Sequence, residues 1–147
     1  MRRAARAIII KDDKLLVMHR NKFGRVYDTL PGGNIGGGES PEQALKRELL
    51  DETSITFKDP KLVIVHHAGD PYGDQLIYLC TYVSGEAKLQ ENSEEFLISN
   101  MGKNLYEPGW VLLKDLHTRP FVTEKLRDTI LAHYHHQWPD IPVEIAG

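Results

Sequence analysis

The stretch "GNIGGGESPEQALKRELLDETSI", Gly33 to Ile55, decides how the rest of the chain is read. Its first half is glycine-rich and sets Gly33, Gly38 and Ser40 at the spacing of a phosphate-binding P-loop. The position that a P-loop gives to lysine is Glu39, whose carboxylate would repel a phosphate. The second half reads as a helix. Ser40 precedes Pro41, and Gln43 stands three residues after Ser40, a capping box with proline at the first helical position. The helix is expected to run to about Thr53. At about 100° per residue, Glu48, Asp51 and Glu52 project from one arc, while Leu45 and Leu49 form an adjacent apolar stripe. Like charges at this spacing oppose helix formation by a few tenths of a kcal/mol per pair, on the order of 0.2–0.5. One reading is an acidic solvated face. The other is a set of hard oxygen ligands for Mg²⁺ or Mn²⁺, and the lack of His and Cys on the arc argues against zinc.

Outward from this stretch, apolar and β-branched runs predict strands at 4–10, 15–19, 28–30, 61–66, 75–83 and 110–113. "KDDK" between the first two predicts a hairpin. A second helix is expected over 122–136, with Leu126, Ile130, Leu131 and Tyr134 at helical spacing and Pro139 beyond it. A short helical turn is expected at 114–116. Mixed strands with few helices indicate an α+β class and not a regular βαβ alternation. No repeat or linker divides the 147 residues, so residues 1–147 are expected to form a single domain.

Composition is ordinary for a globular chain, 41% hydrophobic and 27% charged, with a net charge of −3 that speaks against stable nucleic-acid binding through bulk charge. Charge is uneven: Arg2, Arg3, Arg6, Lys11, Lys14, Arg20, Lys22 and Arg25 face only Asp12 and Asp13 within the first 25 residues. This segment is either plain solvated surface or a basic lip for a small polyanion. Cys80 is the only cysteine and lies in an apolar run, so it is expected in the core. No signal-like or membrane-spanning run is visible, and a cytoplasmic location is expected.

The order of residues from Gly33 resembles the Nudix box of the Nudix hydrolase superfamily, Gly-x5-Glu-x7-Arg-Glu-U-x-Glu-Glu-x-Gly-U with U aliphatic. Gly33, Glu39, Arg47, Glu48, Leu49, Glu52 and Ile55 match at unbroken spacing. "LPGG" at Leu30–Gly33 and the "YEPGWVLL" segment add to the likeness. Asp51 stands where the family has Glu, and Ser54 where it has a helix-ending Gly that favours a left-handed conformation.

The resemblance implies an α/β/α sandwich around a mixed sheet. It also implies metal-dependent hydrolysis of a nucleoside di- or triphosphate, or of another nucleoside diphosphate derivative, by water attacking phosphorus. An ADP-ribose or nucleotide-sugar substrate, and a nucleotide-sensing module without turnover, stay open as alternatives. By position, Glu48 and Glu52 are implied as principal ligands of Mg²⁺ or Mn²⁺, with Asp51 and the Gly32 carbonyl beside them. Glu39 and Arg47 are expected to pair and orient the carboxylates, completing a catalytic group of Glu48, Glu52, Arg47 and Glu39. The general base is Glu48 or a distal loop glutamate, Glu94 or Glu95. Arg20 is a candidate phosphate clamp, and Tyr27 and Tyr72 are candidates to stack on a base. Trp110 is expected in packing, and His66, His67, His133, His135 and His136 as packing or surface residues. A small nucleotide is the expected partner, no membrane is expected, and a homodimer is left open.

Overall fold

The computed structural model describes residues 2–147. Eight strands and three α-helices follow in the order β1 Arg3–Lys11, β2 Lys14–Lys22, β3 Arg25–Thr29, β4 Gly32–Asn34, α1 Pro41–Thr53, β5 Thr56–His67, β6 Asp74–Ser84, α2 Glu94–Asn100, β7 Asn104–Leu112, α3 Glu124–His133 and β8 Val143–Ala146. A 3-10 turn at Leu113–Thr118 follows β7, where the short helical turn was expected. Among the described residues, no helix is long and apolar enough to cross a membrane.

The sheet is mixed. Its spine runs β3-β2-β1-β6-β5-β8, with β4 on β1 and β7 on β2. The pairs β1–β6 and β5–β8 are parallel, and the others are antiparallel. The "KDDK" hairpin closes with Asp12 and Asp13 both at positive φ, 52° and 60°, the turn geometry whose twist suits antiparallel strands. Alternation along β1 separates two cores. Ile8 faces a cluster that contains Leu126 and Ile130 of α3, whereas Ala5, Ala7 and Ile9 face Leu45 and Leu49 of α1. Two helical layers therefore cover opposite faces of one sheet, the sandwich that the resemblance implied. Cys80 is buried on the α1 face, as expected.

Several elements differ from the sequence expectation. β4 is three residues long and β8 four, each lacking an apolar run of its own. β7 begins at Asn104 because Pro108 and Gly109 interrupt the pattern without breaking the pairing to β2. The segment read as a loop around Glu94 and Glu95 is instead the helix α2, capped by buried Ser93, whose Oγ accepts from the Phe96 amide at 3.1 Å. Helix α3 is shorter than expected and starts after Thr123, whose hydroxyl caps it.

The end of α1 shows how a departure from the box is accommodated. Ser54 adopts the left-handed conformation, φ 62° and ψ 17°, that the family's Gly would favour. That conformation costs about 1–2 kcal/mol for a residue with a side chain. The Ser54 hydroxyl offsets this by donating to the Lys88 carbonyl at 2.6 Å and accepting from Gln90 Nε2 at 2.9 Å, contacts worth about 1 kcal/mol each. Ser54→Gly is thus expected to change stability by less than about 1 kcal/mol, since strain and hydrogen bonds leave together. Ser54→Ala keeps the strain, loses both bonds, and should be destabilised by about 1–2 kcal/mol in urea unfolding.

A second tie was not foreseen. Asp28 on β3 is wholly buried and accepts from Arg119 Nε at 2.6 Å, Arg119 Nη2 at 3.0 Å and His19 Nδ1 at 2.6 Å. Its amide donates to the Pro120 carbonyl at 2.9 Å, and its carbonyl accepts from the Val122 amide at 2.9 Å. The carboxylate thus anchors the segment that leads into α3.

Candidate active site

Helix α1 begins as its sequence dictates: Ser40 Oγ accepts from the Gln43 amide at 3.1 Å, and Gln43 Oε1 accepts from the Ser40 amide at 2.8 Å. The cap aims the glycine-rich loop back along the helix. There Arg47 donates to Glu39 through Nε at 2.8 Å and Nη2 at 2.9 Å, a two-pronged bond that joins loop to helix. With help from the Gly36 amide, Arg47 holds the Glu39 carboxyl down to about 2. Arg47 Nη1 also donates to Glu48 Oε1 at 2.7 Å, and Nη2 to the Asn34 carbonyl at 3.3 Å. The expected Glu39–Arg47 pair is present, and Glu39 answers an arginine instead of a phosphate.

Two glycines bring the loop backbone close to the acids. A Cβ on Gly33 would lie 2.5 Å from the Glu48 carboxyl carbon, so only glycine lets that carboxyl rest against the loop. Gly32 sits at φ 143°, and a Cβ there would meet the Ala5 carbonyl oxygen at 2.1 Å. The Gly32 amide donates to Glu52 Oε2 at 3.0 Å. The Gly32 carbonyl faces Arg6 Nη1 at 3.4 Å.

Three carboxylates converge. Glu48 and Glu52 of α1 and Glu95 of α2 each offer an oxygen, and these oxygens lie within 4.8 Å of one another. Asp51 is not in this group, although it shares the arc on α1; its main-chain carbonyl instead accepts from the Gln90 amide at 3.0 Å. Glu94 is exposed and also stands outside the group. Burial pushes the Glu52 carboxyl up to about 8, a shift that Arg6 and the Gly32 amide oppose and Glu48 and Glu95 reinforce. Burial likewise raises Glu48 against the pull of Arg47. Glu48 and Glu52, both raised by burial and set beside Glu95, fit a divalent cation, whose charge would remove the repulsion and whose preference is for oxygen.

Beside the carboxylates lies a cavity of about 330 Å³ between β1–β3, β6, β7 and the start of α3. Arg6 links the two. Its guanidinium donates to the Leu30 carbonyl at 3.1 Å and to Gln75 Oε1 at 3.0 Å while its charge is felt by Glu52 and Glu48. Arg20, Tyr27 and Tyr72 all line this cavity. Arg20 is held by Asn104 and the Leu105 carbonyl, and it lies 3.7 Å over the Tyr106 ring and 5.8 Å from Tyr27.

The sequence places Arg6 only within the basic segment of the first 25 residues and gives Tyr106 no role of its own. Arg6 hides in the apolar run of β1, where a charge between alanines on a central strand was itself the signal. Tyr106 lies in the interrupted half of β7. Trp110 packs edge-on to Tyr82 at 6.0 Å between ring centroids. The histidines stand outside the group of Glu48, Glu52 and Glu95, although His66 lines the cavity. His66 is buried against the Gly147 carbonyl, His67 bridges Asp74 and Glu144, and His133 stacks on Trp138.

A family model described as the NUDIX domain matches residues 1–133. An ADP-ribose pyrophosphatase of Methanocaldococcus jannaschii is 31% identical over 113 residues, covering 71% of this chain and 66% of that protein. An NAD-capped RNA hydrolase NudC of Haemophilus influenzae is 35% identical over 81 residues, 53% of this chain and 30% of that protein. The chain thus spans less than two thirds of the length of these relatives. The crystal structure of a MutT protein from Bacillus halodurans superposes with a TM-score of 0.65 at 21% identity, covering 98% of this chain and 87% of that one. The family model across nearly the whole chain, on a capped helix that carries the box at its full spacing, shows that the protein belongs to the NUDIX family.

Proposed function

We propose that this protein is a divalent-metal-dependent pyrophosphohydrolase acting on a nucleoside di- or triphosphate or a nucleoside diphosphate linked to another group. The observation that carries this reading is the convergence of Glu48, Glu52 and Glu95 beside a cavity lined by Arg6 and Arg20. In this reading the three carboxylates hold Mg²⁺ or Mn²⁺. When bound, such an ion neutralises phosphate oxygens and lowers the pKa of coordinated water.

The remaining steps belong to the chain's own residues. Arg6 and Arg20 receive the phosphate oxygens of the substrate and set the diphosphate across the carboxylates. Tyr27 and Tyr106 form apolar walls for the attached group, and Tyr72 stands at the exposed edge of the cavity. Glu48 or Glu95 receives the proton of the attacking water. Arg47 touches no substrate; it positions Glu48 and locks the loop. An ADP-ribose-type substrate falls within this class, in keeping with the name of the Methanocaldococcus relative.

The test is product release from a panel of nucleoside triphosphates, ADP-ribose and dinucleotides with Mg²⁺. Turnover of at least one member is expected, and binding without turnover on every member would refute the enzyme reading. A finer check concerns Arg47. Arg47→Lys keeps a charge but loses the two-pronged bond to Glu39, so kcat should fall about 10–100-fold with little change in melting temperature.

A further inference from the structure

Five cations line the cavity: Arg2, Arg6, Arg20, Lys22 and Arg25. No Asp or Glu lines it with them. Among the described residues, none of the five has a carboxylate within 4.0 Å, since the ion pairs to Asp and Glu engage Arg47, Arg119, Arg127, His19 and His67. Neutral oxygens hold three of them: Arg2 donates to Asn34 and Pro71, Arg6 to Gln75, Leu30 and Gly32, and Arg20 to Asn104 and Leu105. Those contacts fix the guanidinium groups without a carboxylate in direct contact, while Arg6 also feels the charge of Glu52 and Glu48. A wall of this kind attracts anions and repels neutral or cationic groups.

The cations are also spread out. Arg6 adjoins Glu52, whereas Lys22 and Arg25 sit at the far end of the β2–β3 hairpin, directly opposite each other in register. Like charges placed opposite one another are unfavourable for a hairpin. Lys22 is two residues beyond Arg20 on the same strand, roughly 7 Å farther along it. In the proposed reading of the site a diphosphate, whose two phosphorus atoms share one oxygen, is met by Arg6 and Arg20, which leaves Lys22 and Arg25 for a further anionic group. Arg25 meanwhile lies 4.8 Å over the Tyr27 ring, at the wall assigned to the attached group.

Resting on the reading of a diphosphate held at the carboxylates, we infer that the preferred substrate is a small molecule with an additional phosphate monoester on the group attached to that diphosphate, received by Lys22 and Arg25. The chain's net charge of −3 favours a small anion over a nucleic-acid strand.

Matched pairs that differ only in one phosphate test this with Mg²⁺: coenzyme A against dephospho-coenzyme A, 2′-phospho-ADP-ribose against ADP-ribose, and NADPH against NADH. In at least one pair the phosphorylated member should show a kcat/KM tenfold or more above its partner. Lys22→Gln/Arg25→Gln should bring that ratio close to one, while Arg25→Lys should retain most of it. Ratios of one or below in every pair would overturn the inference. So would a preference that the double variant leaves intact, or a 5′-triphosphorylated oligoribonucleotide turned over better than every small molecule. If the wild type turned over no diphosphate at all, the proposed activity would fall. The inference would then be decided by calorimetric binding of the same pairs, where a ratio below tenfold in each would refute it.

Discussion

Glu52→Gln is expected to lower kcat/KM on the order of 10³-fold, equivalent to about 4 kcal/mol of transition-state stabilisation. The reason is electrostatic. Glutamine preserves shape and can still accept from the Gly32 amide, but it cannot ionise to supply the carboxylate that a divalent ion would draw from the cluster. Folding should survive, because burial already pushes this carboxyl up to about 8 and a neutral group sits there at no penalty. Product release by the variant beside the wild type, together with its melting temperature, separates the two effects. Turnover near the wild-type rate would remove Glu52 from the proposed metal site. A large loss of melting temperature would mean that the charge serves the fold. Glu95→Gln, on the other helix, should show a smaller loss of about 10–100-fold.

Asp28→Asn is expected to cost about 3 kcal/mol of stability, within the range for breaking a buried ion pair. For a chain of this size that corresponds to a fall in melting temperature of about 6–12 °C. Burial acts to raise the Asp28 carboxyl, but hydrogen bonds from His19 and Arg119 outweigh it and hold the group below the ordinary carboxylate value of 3.8. A depressed folded-state value means that the stabilisation is fully present above pH 3.8 and is lost as pH falls through the lower, folded-state value. Urea unfolding at pH 7 and at pH 3 should therefore show a wide gap between wild type and Asp28→Asn that narrows in acid. A gap of equal size at both would show that the carboxylate charge is not its source. Because Asp28 also brackets the segment from Pro120 to Val122, and Val122 and Thr123 line the cavity, a rise in KM is expected alongside the loss of stability.

These two residues mark the boundary of what a sequence can reveal. Glu52 was legible because Glu48 lies one helical turn away, and the cap at Ser40 and the anchor at Arg47 lie on the same short segment. Spacing along a helix converts directly into geometry, so the box, its cap and the left-handed end at Ser54 could all be read from consecutive residues. Asp28 was not legible. It looked like a strand residue before a turn, and its partners are nine residues away at His19 and ninety-one away at Arg119.

Glu95 and Asp51 show the same contrast within the site. Both were named as acids of interest, Asp51 on the strength of the arc it shares with Glu48. The tertiary structure joins Glu95 to the cluster and leaves Asp51 outside, because α2 delivers its glutamate beside Glu48 and Glu52. The basic surplus of the first 25 residues, left between plain surface and an anion-attracting lip, resolves in part toward the lip. Arg2, Arg6, Arg20, Lys22 and Arg25 line the cavity, whereas Lys11 lies over Tyr82.

The sequence by itself determined the family, the capped helix, the Glu39–Arg47 lock and two of the three clustered carboxylates, since all of these depend on order along one segment. Only the tertiary structure decided the third carboxylate, the place of Arg6 and Tyr106, the Asp28 anchor and the unpaired cations around the cavity. Those depend on which strands lie side by side, and chain spacing does not encode contacts closed by a sheet.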